Sequence, residues 1–165
     1  ESGRVWHFAF PRVSFFFSNA FPTAEKPFSI AIVRSEFHEN YTEKLLQYAL
    51  KGFKKCGVEE GAIELFPVPG ALEIPFAVRR LIDTQDFDGI LALGIIIRGE
   101  TSHFELVARE SMRGLMNLNL EGTLPIISGI LTAENEDQAT KRLEKGMEFA
   151  ASLVKMMNFS AALER

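Results

Sequence analysis

The chain has 165 residues, enough for one domain with a substantial core, and its 47% hydrophobic and 24% charged residues are ordinary for a globular protein. A formal net charge of −4 without any run of Lys and Arg argues against bulk binding to nucleic acid or to an anionic membrane surface. No apolar run reaches the roughly 20 residues that span a bilayer, and the single cysteine, Cys56, excludes a disulfide framework and a cysteine-rich metal site.

Residues 1–27 are interpreted as an N-terminal arm without chemistry of its own. The segment is rich in Phe, Pro and Ser, and Pro11 and Arg12 interrupt its apolar part, which therefore makes a poor secretory signal. Three interpretations stay open: an appended or disordered sequence, an added edge strand of the sheet, and an arm that packs on a neighbouring chain.

From residue 28 onward, short apolar runs alternate with segments of helical periodicity. FSIAIV, at residues 28–33, predicts a strand buried on both faces, because its hydrophobicity is nearly continuous. Asn40 and Glu43 then have the spacing of a capping box at the start of a helix, and Gly57 is a natural helix end. Cys56 is therefore interpreted as a structural residue at this end, compatible with the reducing cytoplasm in which we expect the protein.

The middle of the chain repeats the alternation. AIELFPV, at residues 62–68, predicts a second strand, and ALEIPFAVRRLID predicts a helix that tolerates Pro75 because it lies in the first turn. DGILALGIII, at residues 88–97, is the third and most apolar strand. A third helix is expected from Ser102 to about Leu118, with a buried stripe through Phe104, Val107, Ala108, Met112 and Leu115.

The last part of the chain completes the pattern. PIISGILT, at residues 125–132, predicts a fourth strand, and Asn135 with Gln138 has the spacing of a capping box that opens one final helix. Four strands alternating with helices over short connections predict a three-layer αβα sandwich around a four-stranded parallel sheet. We expect residues 28–158 to form one domain and residues 159–165 a C-terminal tail.

Four loops are predicted to meet at the carboxyl edge of this sheet, where parallel sheets bind ligands. They are SEFHEN after the first strand, PGALE after the second, RGETSH after the third and TAENEDQ after the fourth. The sequence therefore predicts one pocket rim, without identifying its ligand.

The loop RGETSH combines helix capping with candidate chemistry. Ser102 and Glu105 have capping-box spacing, which is a structural explanation for both residues. Arg98 is expected either to join an anion site or to form an ion pair. His103 would lie in the first helical turn, where the helix dipole favours a neutral imidazole suited to acid–base catalysis. A surface histidine without a function fits this stretch equally well.

Gly99, Glu100 and Thr101 precede the free N–H groups of the same predicted helix. Such helix ends favour an anion, so a phosphate site is expected here. Metal chemistry is not expected, because the three histidines are dispersed and have no metal-ligand spacing. GxSxG, P-loop and GxGxxG motifs are absent too, which leaves a small planar or phosphorylated ligand handled by acid–base and electrostatic means.

Four further residues each have a structural and a functional interpretation. Phe37, on a predicted loop, is either a core residue or a stacking surface for a planar ligand. Its neighbour His38 lies on the same rim and could touch that ligand. Glu73 either complements a helix dipole or accepts hydrogen bonds from ligand hydroxyls, and Arg142 is by default part of a solvated helix face.

Four stretches together resemble the lumazine synthase family. They are VPGALEIPFAVRRL, ALGIIIRGETSHFELVA, LPIISGILTAENEDQA and the loop that holds Phe37, in the family's order and spacing over residues 28–158. The resemblance implies a flavodoxin-like fold and a synthase that needs no metal or other cofactor. It implies the condensation of 5-amino-6-(D-ribitylamino)uracil with 3,4-dihydroxy-2-butanone 4-phosphate to 6,7-dimethyl-8-ribityllumazine, phosphate and water.

The resemblance also implies roles for individual residues. His103 matches the proton-transferring histidine, and His38, Arg98 and Lys145 are further candidates near the substrates. The residues implied to contact the pyrimidine and its ribityl chain are Phe37, Ala71, Leu72, Glu73, Ile95, Ile96, Ile97 and Ser128. Those implied to hold the butanone phosphate are Gly99, Glu100, Thr101 and Arg142.

Three departures from the family pattern stand out. Ser128 occupies a position where Phe is usual, and His38 follows Phe37 where Asn is common. The Gly- and Lys-rich loop after Arg142 is shortened, with Lys145 and Gly146 as its apparent remnant. In the family this long loop is associated with an icosahedral shell, so the shortening favours a smaller assembly.

The resemblance implies partners as well as substrates. The family's active site lies between neighbouring subunits of a homopentamer, and here we expect a pentamer or decamer rather than an icosahedral 60-mer. Riboflavin synthase is a further expected partner. Two other interpretations stay open: a non-catalytic relative that binds lumazine or flavin or serves as a scaffold, and a generic flavodoxin-like binding module.

Overall fold

The computed structural model describes residues 21–164, in which strands and helices alternate as the sequence predicts. The strands are β1 (Ile30–Ser35), β2 (Ile63–Val68), β3 (Gly89–Ile97) and β4 (Ile126–Ala133). The helices are α1 (Glu39–Lys55), α2 (Ile74–Thr84), α3 (His103–Leu120), α4 (Glu136–Arg142) and α5 (Lys145–Leu163). Residues 1–20, which make up most of the expected N-terminal arm, lie outside the described residues, and so does the interpretation of this arm as an added edge strand.

All four strands run parallel, in the order β2-β1-β3-β4. β1 and β3 are central and almost completely buried, because they are apolar on both faces. β2 is a half-exposed edge strand, which can accommodate Pro67 although proline has no N–H to donate. β2 lies on one side of β1 and β3 lies on the other, so the strand order reverses at this point. The carboxyl ends of β1 and β3 therefore form the kind of crevice in which parallel sheets bind ligands.

Helices cover both faces of the sheet. The α1/α5 face includes the buried side chains of Ile32, Leu45, Phe53, Leu91, Leu153 and Val154. The α2/α3 face includes those of Val33, Ile74, Val78, Ile90, Leu115 and Ile126. The expected three-layer αβα sandwich is confirmed. No helix in residues 21–164 has both the length and the apolar composition required to traverse a membrane.

Helices α1 and α5 approach each other closely at two glycines. A Cβ atom on Gly146 would lie 2.5 Å from the carbonyl oxygen of Leu45, and one on Gly52 would lie 2.7 Å from the carbonyl oxygen of Met147. These distances are shorter than any tolerated carbon–oxygen contact, so each helix requires glycine where it crosses the other.

The expectation of one final helix is wrong, because the chain divides it into α4 and α5. At the junction Gly146 N–H donates to Leu143 O and Met147 N–H donates to Glu144 O, both at 3.1 Å and both three residues back. Such tight turns redirect the axis, and α5 then packs against α1. α5 also continues to Leu163, past the expected domain end at residue 158.

The capping box expected at Asn40 and Glu43 does not form. α1 begins at Glu39, directly after His38, whose backbone is left-handed with φ 58°, so Asn40 lies within the first turn. The Glu43 carboxylate forms an ion pair with Arg34, which is only 6% exposed on β1. An unpaired buried guanidinium costs more free energy than an uncapped helix end, so Glu43 pairs with Arg34 instead of capping α1. Arg34 also pairs with Glu39 at 3.5 Å.

The other two capping predictions have opposite outcomes. Ser102 makes no side-chain cap within the described residues, so the box at α3 is wrong. At α4 the cap is confirmed, since Asn135 Oδ1 accepts a hydrogen bond of 2.9 Å from Gln138 N–H. The Gln138 side chain accepts one of 2.9 Å from Glu134 N–H, one residue earlier than a standard capping box requires.

Candidate active site

A cavity of about 330 Å³ lies at the carboxyl edge of the sheet, where the strand order reverses. Its walls come from the loop after β1, the turn after β2, the end of β3 and the first turns of α3. The lining residues are Phe37, His38, Gly70, Ala71, Leu72, Glu73, Ile95, Ile96, Ile97, Gly99, Thr101, His103, Phe104 and Val107. The structure thus brings together eleven of the sixteen residues that the sequence nominates for the site.

The first wall is an exposed aromatic pair held by the backbone. Phe37 is 67% exposed, so its interpretation as a core residue is wrong. Its N–H donates to Pro69 O at 3.0 Å, and Glu36 N–H donates to Val68 O at 2.7 Å, which ties this loop to the turn after β2. The rings of Phe37 and His38 meet edge to face at 4.5 Å. An apolar ring is therefore presented at the cavity rim, ready to stack on a planar group.

The second wall is the turn Ala71–Glu73, a short 3-10 helix that leads into α2. Glu73 is exposed at the start of α2, where a carboxylate complements the helix dipole. A Cβ atom on Gly70 would lie 3.0 Å from Glu73 Oε2, so a side chain there would press on this carboxylate. Both interpretations of Glu73 stand, because a carboxylate at the helix start also faces the cavity.

The third wall is the end of β3 and the loop that enters α3. Ile95 and Ile96 are buried, which leaves mainly their backbone edge for a ligand. A Cβ atom on Gly99 would meet no described atom within 4 Å, so the loop is open at this point. His103 is the first residue of α3, and its N–H donates to Thr101 Oγ1 at 3.3 Å. The imidazole and the anion-favouring helix start therefore share one end of the cavity.

Five nominated residues lie outside this cavity. Glu100 is exposed on the entering loop, and Lys145 pairs with Glu148 at 3.7 Å. Arg142 Nη1 donates to Thr132 O at 2.8 Å. Ser128 lies on β4, and its Oγ is buried without a hydrogen-bond partner in the described part of the chain. The fifth residue is Arg98.

Arg98 forms ion pairs, which confirms one of its two expected roles. Its Nε donates to Glu134 Oε2 at 2.5 Å, and Nη1 pairs with Glu105. Its Cζ lies 4.3 Å from the centroid of the Phe104 ring. The hydrogen bonds that Arg98 donates to the carboxylates of Glu134 and Glu105 raise the pKa of Arg98, and the one donated to Glu105 lowers the pKa of Glu105. Glu105, expected as part of a cap, thus serves as an arginine partner.

Three cavity residues were not singled out by sequence reasoning. Gly70 looks like part of a strand-ending Pro-Gly turn, and Phe104 and Val107 belong to a helical apolar stripe. Both side chains are half-buried, and the expected stripe member Met112 is 42% exposed, so that part of the prediction is wrong. An apolar stripe gives no signal of which members line a cavity rather than the core.

The sequence is similar to proteins of one family. A family model described as 6,7-dimethyl-8-ribityllumazine synthase matches residues 27–161. Among similar proteins, the 6,7-dimethyl-8-ribityllumazine synthase of Nitrosomonas europaea is 47% identical over 136 residues, which cover 82% of this chain and 83% of the relative. The one of Methylobacillus flagellatus is 45% identical over 81% of this chain and 90% of the relative. That of Pyrococcus furiosus is 46% identical over 78% and 83%.

Proposed function

The chain belongs to the 6,7-dimethyl-8-ribityllumazine synthase family, and from that premise we propose that it catalyses the synthase reaction of riboflavin biosynthesis. The reaction condenses 5-amino-6-(D-ribitylamino)uracil with 3,4-dihydroxy-2-butanone 4-phosphate and releases phosphate and water. The observation that carries the proposal is the cavity itself. An exposed Phe37 ring, the Glu73 carboxylate and a helix start with His103 converge there from separate parts of the chain.

The pyrimidine fits the half of the cavity that contains the aromatic rim. Phe37 offers its ring face to the heterocycle, and the backbone of residues 95–97 offers hydrogen-bonding groups along one edge. Ala71, Leu72 and Glu73 form the opposite wall, where the carboxylate accepts hydrogen bonds from ribityl hydroxyls. This arrangement explains why an apolar ring remains exposed at the rim.

The phosphate fits the start of α3. The loop of Gly99, Glu100 and Thr101 enters the helix there, and free helix N–H groups favour an anion. Among the described residues that line the cavity, none is Lys or Arg. We therefore propose that Arg142 of a neighbouring subunit supplies the cation, with Lys145 three residues further along that subunit.

The α2/α3 face supports assembly with another copy. Six large apolar side chains are exposed on it or beside it: Leu72, Phe76, Leu106, Met112, Met116 and Leu120. Exposed apolar surface of this extent is typical of subunit interfaces. The proposed assembly is a pentamer or decamer in the cytoplasm, with a site between each pair of neighbours, and riboflavin synthase is the proposed further partner.

In the proposed mechanism the chain positions two substrates and moves protons. The 5-amino nitrogen adds to the butanone carbonyl, and loss of water gives a Schiff base. Elimination then breaks the carbon–oxygen bond to the phosphate and leaves an enol, which tautomerises to a ketone. The ribityl-bearing nitrogen attacks this ketone carbon, and loss of its oxygen as a second water closes the ring. His103, beside the phosphate end of the cavity, takes and returns these protons, while positioning supplies much of the acceleration.

The test is substitution of His103 by alanine. We expect kcat to fall about 100-fold or more, the usual loss for a general acid–base group, with the Kd of the pyrimidine substrate unchanged. The matched control is His38→Asn, which removes the other imidazole of the cavity and retains a residue that tolerates the left-handed backbone. We expect this control to retain most of kcat.

Stopped-flow absorbance of the product gives kcat, and fluorescence titration gives the Kd. Unchanged kinetics in His103→Ala would contradict the role of that residue. If the unmodified protein binds lumazine or flavin but forms no product from the two substrates, the non-catalytic alternative holds instead.

A further inference from the structure

The guanidinium of Arg98 holds three segments of the chain together. Nε and Nη2 donate to the two oxygens of Glu134 at 2.5 and 3.4 Å, and Nη1 pairs with Glu105. Phe104 lies against the guanidinium plane, with 4.3 Å from Cζ to the ring centroid. The Arg98 N–H also donates to Ala133 O at 2.9 Å, which fixes the strand end itself.

Each partner of Arg98 belongs to a segment that bears on the site. Glu105 and Phe104 lie in the first turn of α3, and Phe104 lines the cavity. Glu134 directly precedes the cap of α4, and its N–H donates to the Gln138 side chain. One side chain therefore connects the entrance of α3 with the entrance of α4.

Arg98 is poorly placed to bind phosphate itself. Its donors face two carboxylates, so the cluster of Arg98, Glu105 and Glu134 has a net charge of −1 and would repel an anion. Arg98 is also not among the residues that line the cavity. Removing the guanidinium would take the ion pairs with Arg98 away from both carboxylates, although Arg109 would still lie near Glu105.

We propose that Arg98 is a positioning residue that holds the phosphate-binding turn of α3 in place through Glu105. A fixed first turn keeps Thr101 and His103 at one end of the cavity, because both residues lie within four positions of Glu105. Through Glu134 the same side chain fixes the start of α4, the helix that ends at Arg142. Both the anion site and the identity of its phosphate ester rest on the proposed function.

The chain offers a matched control in Arg79. This arginine also bridges two carboxylates, with 2.6 Å to Asp83 and 2.5 Å to Glu121, and its side chain is 45% exposed against 36% for Arg98. Arg79 is not among the residues that line the cavity. Arg98→Gln and Arg79→Gln therefore each remove an arginine that bridges two carboxylates. Of the two arginines, only Arg98 contacts the phosphate-binding turn.

The experiment compares these variants for binding of inorganic phosphate, followed by ³¹P NMR, and for steady-state kinetics with both substrates. Arg98→Gln is expected to raise the Kd of phosphate and the KM of the phosphate substrate about tenfold, since small displacements of positioned groups have effects of this size or larger. The Kd of the pyrimidine should change less than twofold. Arg79→Gln should alter none of these, although both variants lose a similar amount of thermal stability.

Two further variants separate positioning from direct binding. Glu105→Gln should also raise the Kd of phosphate, because it releases the same turn. If Arg98 bound phosphate directly, removing this competing carboxylate would instead lower the Kd. Arg98→Lys should not restore binding, because an ammonium lacks the planar fork that engages two carboxylates. Rescue by lysine, a lowered Kd in Glu105→Gln or equal effects of Arg79→Gln and Arg98→Gln would each overturn the proposal.

The outcome is distinguishable from failure of the proposed function. A protein that forms no lumazine would contradict the synthase assignment, while the ³¹P comparison would still report whether Arg98 organises an anion site.

Discussion

The face of the sheet covered by α1 and α5 and the face covered by α2 and α3 differ in how completely the chain covers them. On the first, the helices meet at Gly52 and Gly146 with no space for a side chain. On the second, α3 has side chains such as Met116 and Leu120 that are 50% and 79% exposed. Exposed apolar residues of α5, such as Phe159, are confined to its last turns. The first face is complete within one chain, whereas the second leaves large apolar side chains of α3 exposed.

The cavity lies at the incomplete face. Its floor is the end of β3, while two of its walls, the turn before α2 and the start of α3, belong to the helices that lack cover. In the proposed assembly, a site at this face receives residues from another subunit, which is consistent with the lack of Lys and Arg among the described residues that line the cavity.

The largest expected effect tests the closely packed face. Gly146→Ala would place a Cβ atom 2.5 Å from Leu45 O and 2.8 Å from Ala49 N, which are backbone atoms of α1. We expect the free energy of unfolding to fall by about 3 kcal/mol, at the upper end for overpacking, because α1 must shift as a unit.

Urea denaturation followed by circular dichroism measures this loss. Gly61→Ala is the control, since a Cβ atom there meets no described atom within 4 Å, and we expect it to change the free energy by less than about 0.5 kcal/mol. Equal midpoints for the two variants would show that the α1/α5 face is less rigid than its geometry indicates.

A second, intermediate effect tests the incomplete face. Met116→Lys places a charge on a half-exposed apolar position of α3, and we expect the proposed pentamer to dissociate toward smaller species with the helical content retained. Met156→Lys on α5 is the matched control, because Met156 is 41% exposed on the other face. Multi-angle light scattering gives the mass of each variant. Dissociation by both substitutions would remove the distinction between the faces.

The smallest effect concerns Cys56, which is 1% exposed at the end of α1, where burial raises its pKa to about 11. At pH 8 we expect iodoacetamide to label the native thiol about 100-fold more slowly than the urea-unfolded chain, since the thiolate is the reactive form. The neutral thiol is favoured in the folded state, so stability should decline as the pH rises from about 9 toward 11. Rapid native labelling would indicate that this face opens.

Sequence reasoning located the strands and helices well, because their apolar periodicity is a local property. It failed at the helix starts for a non-local reason. Glu43 and Glu105 have capping-box spacing, but each pairs with an arginine from the end of a preceding strand, Arg34 or Arg98. In the cap that was confirmed, the residue in the position of these glutamates is Gln138, whose neutral side chain attracts no guanidinium.

The same limit applies to the site. Residues within one loop, such as Gly99, Thr101 and His103, could be nominated from helix-end chemistry alone, and the cavity contains all of them. Whether the Phe37 ring is buried in the core or exposed at the cavity rim depends on which other segments pack over it. The local sequence pattern does not specify those segments. In the proposed assembly, the position of Arg142 relative to a substrate depends on a second copy of the chain.

Arg142 is held against β4 by its hydrogen bond to Thr132, away from the cavity that contains His103. In the proposed ring, each subunit therefore contributes its cavity with His103 to one active site and its Arg142 to another. A subunit with a defective His103 and a subunit with a defective Arg142 can then restore activity when mixed, because some interfaces in the mixed ring combine an intact His103 with an intact Arg142. Activity then becomes a property of neighbours rather than of single chains, and a cell with two different inactivated copies could still make the product.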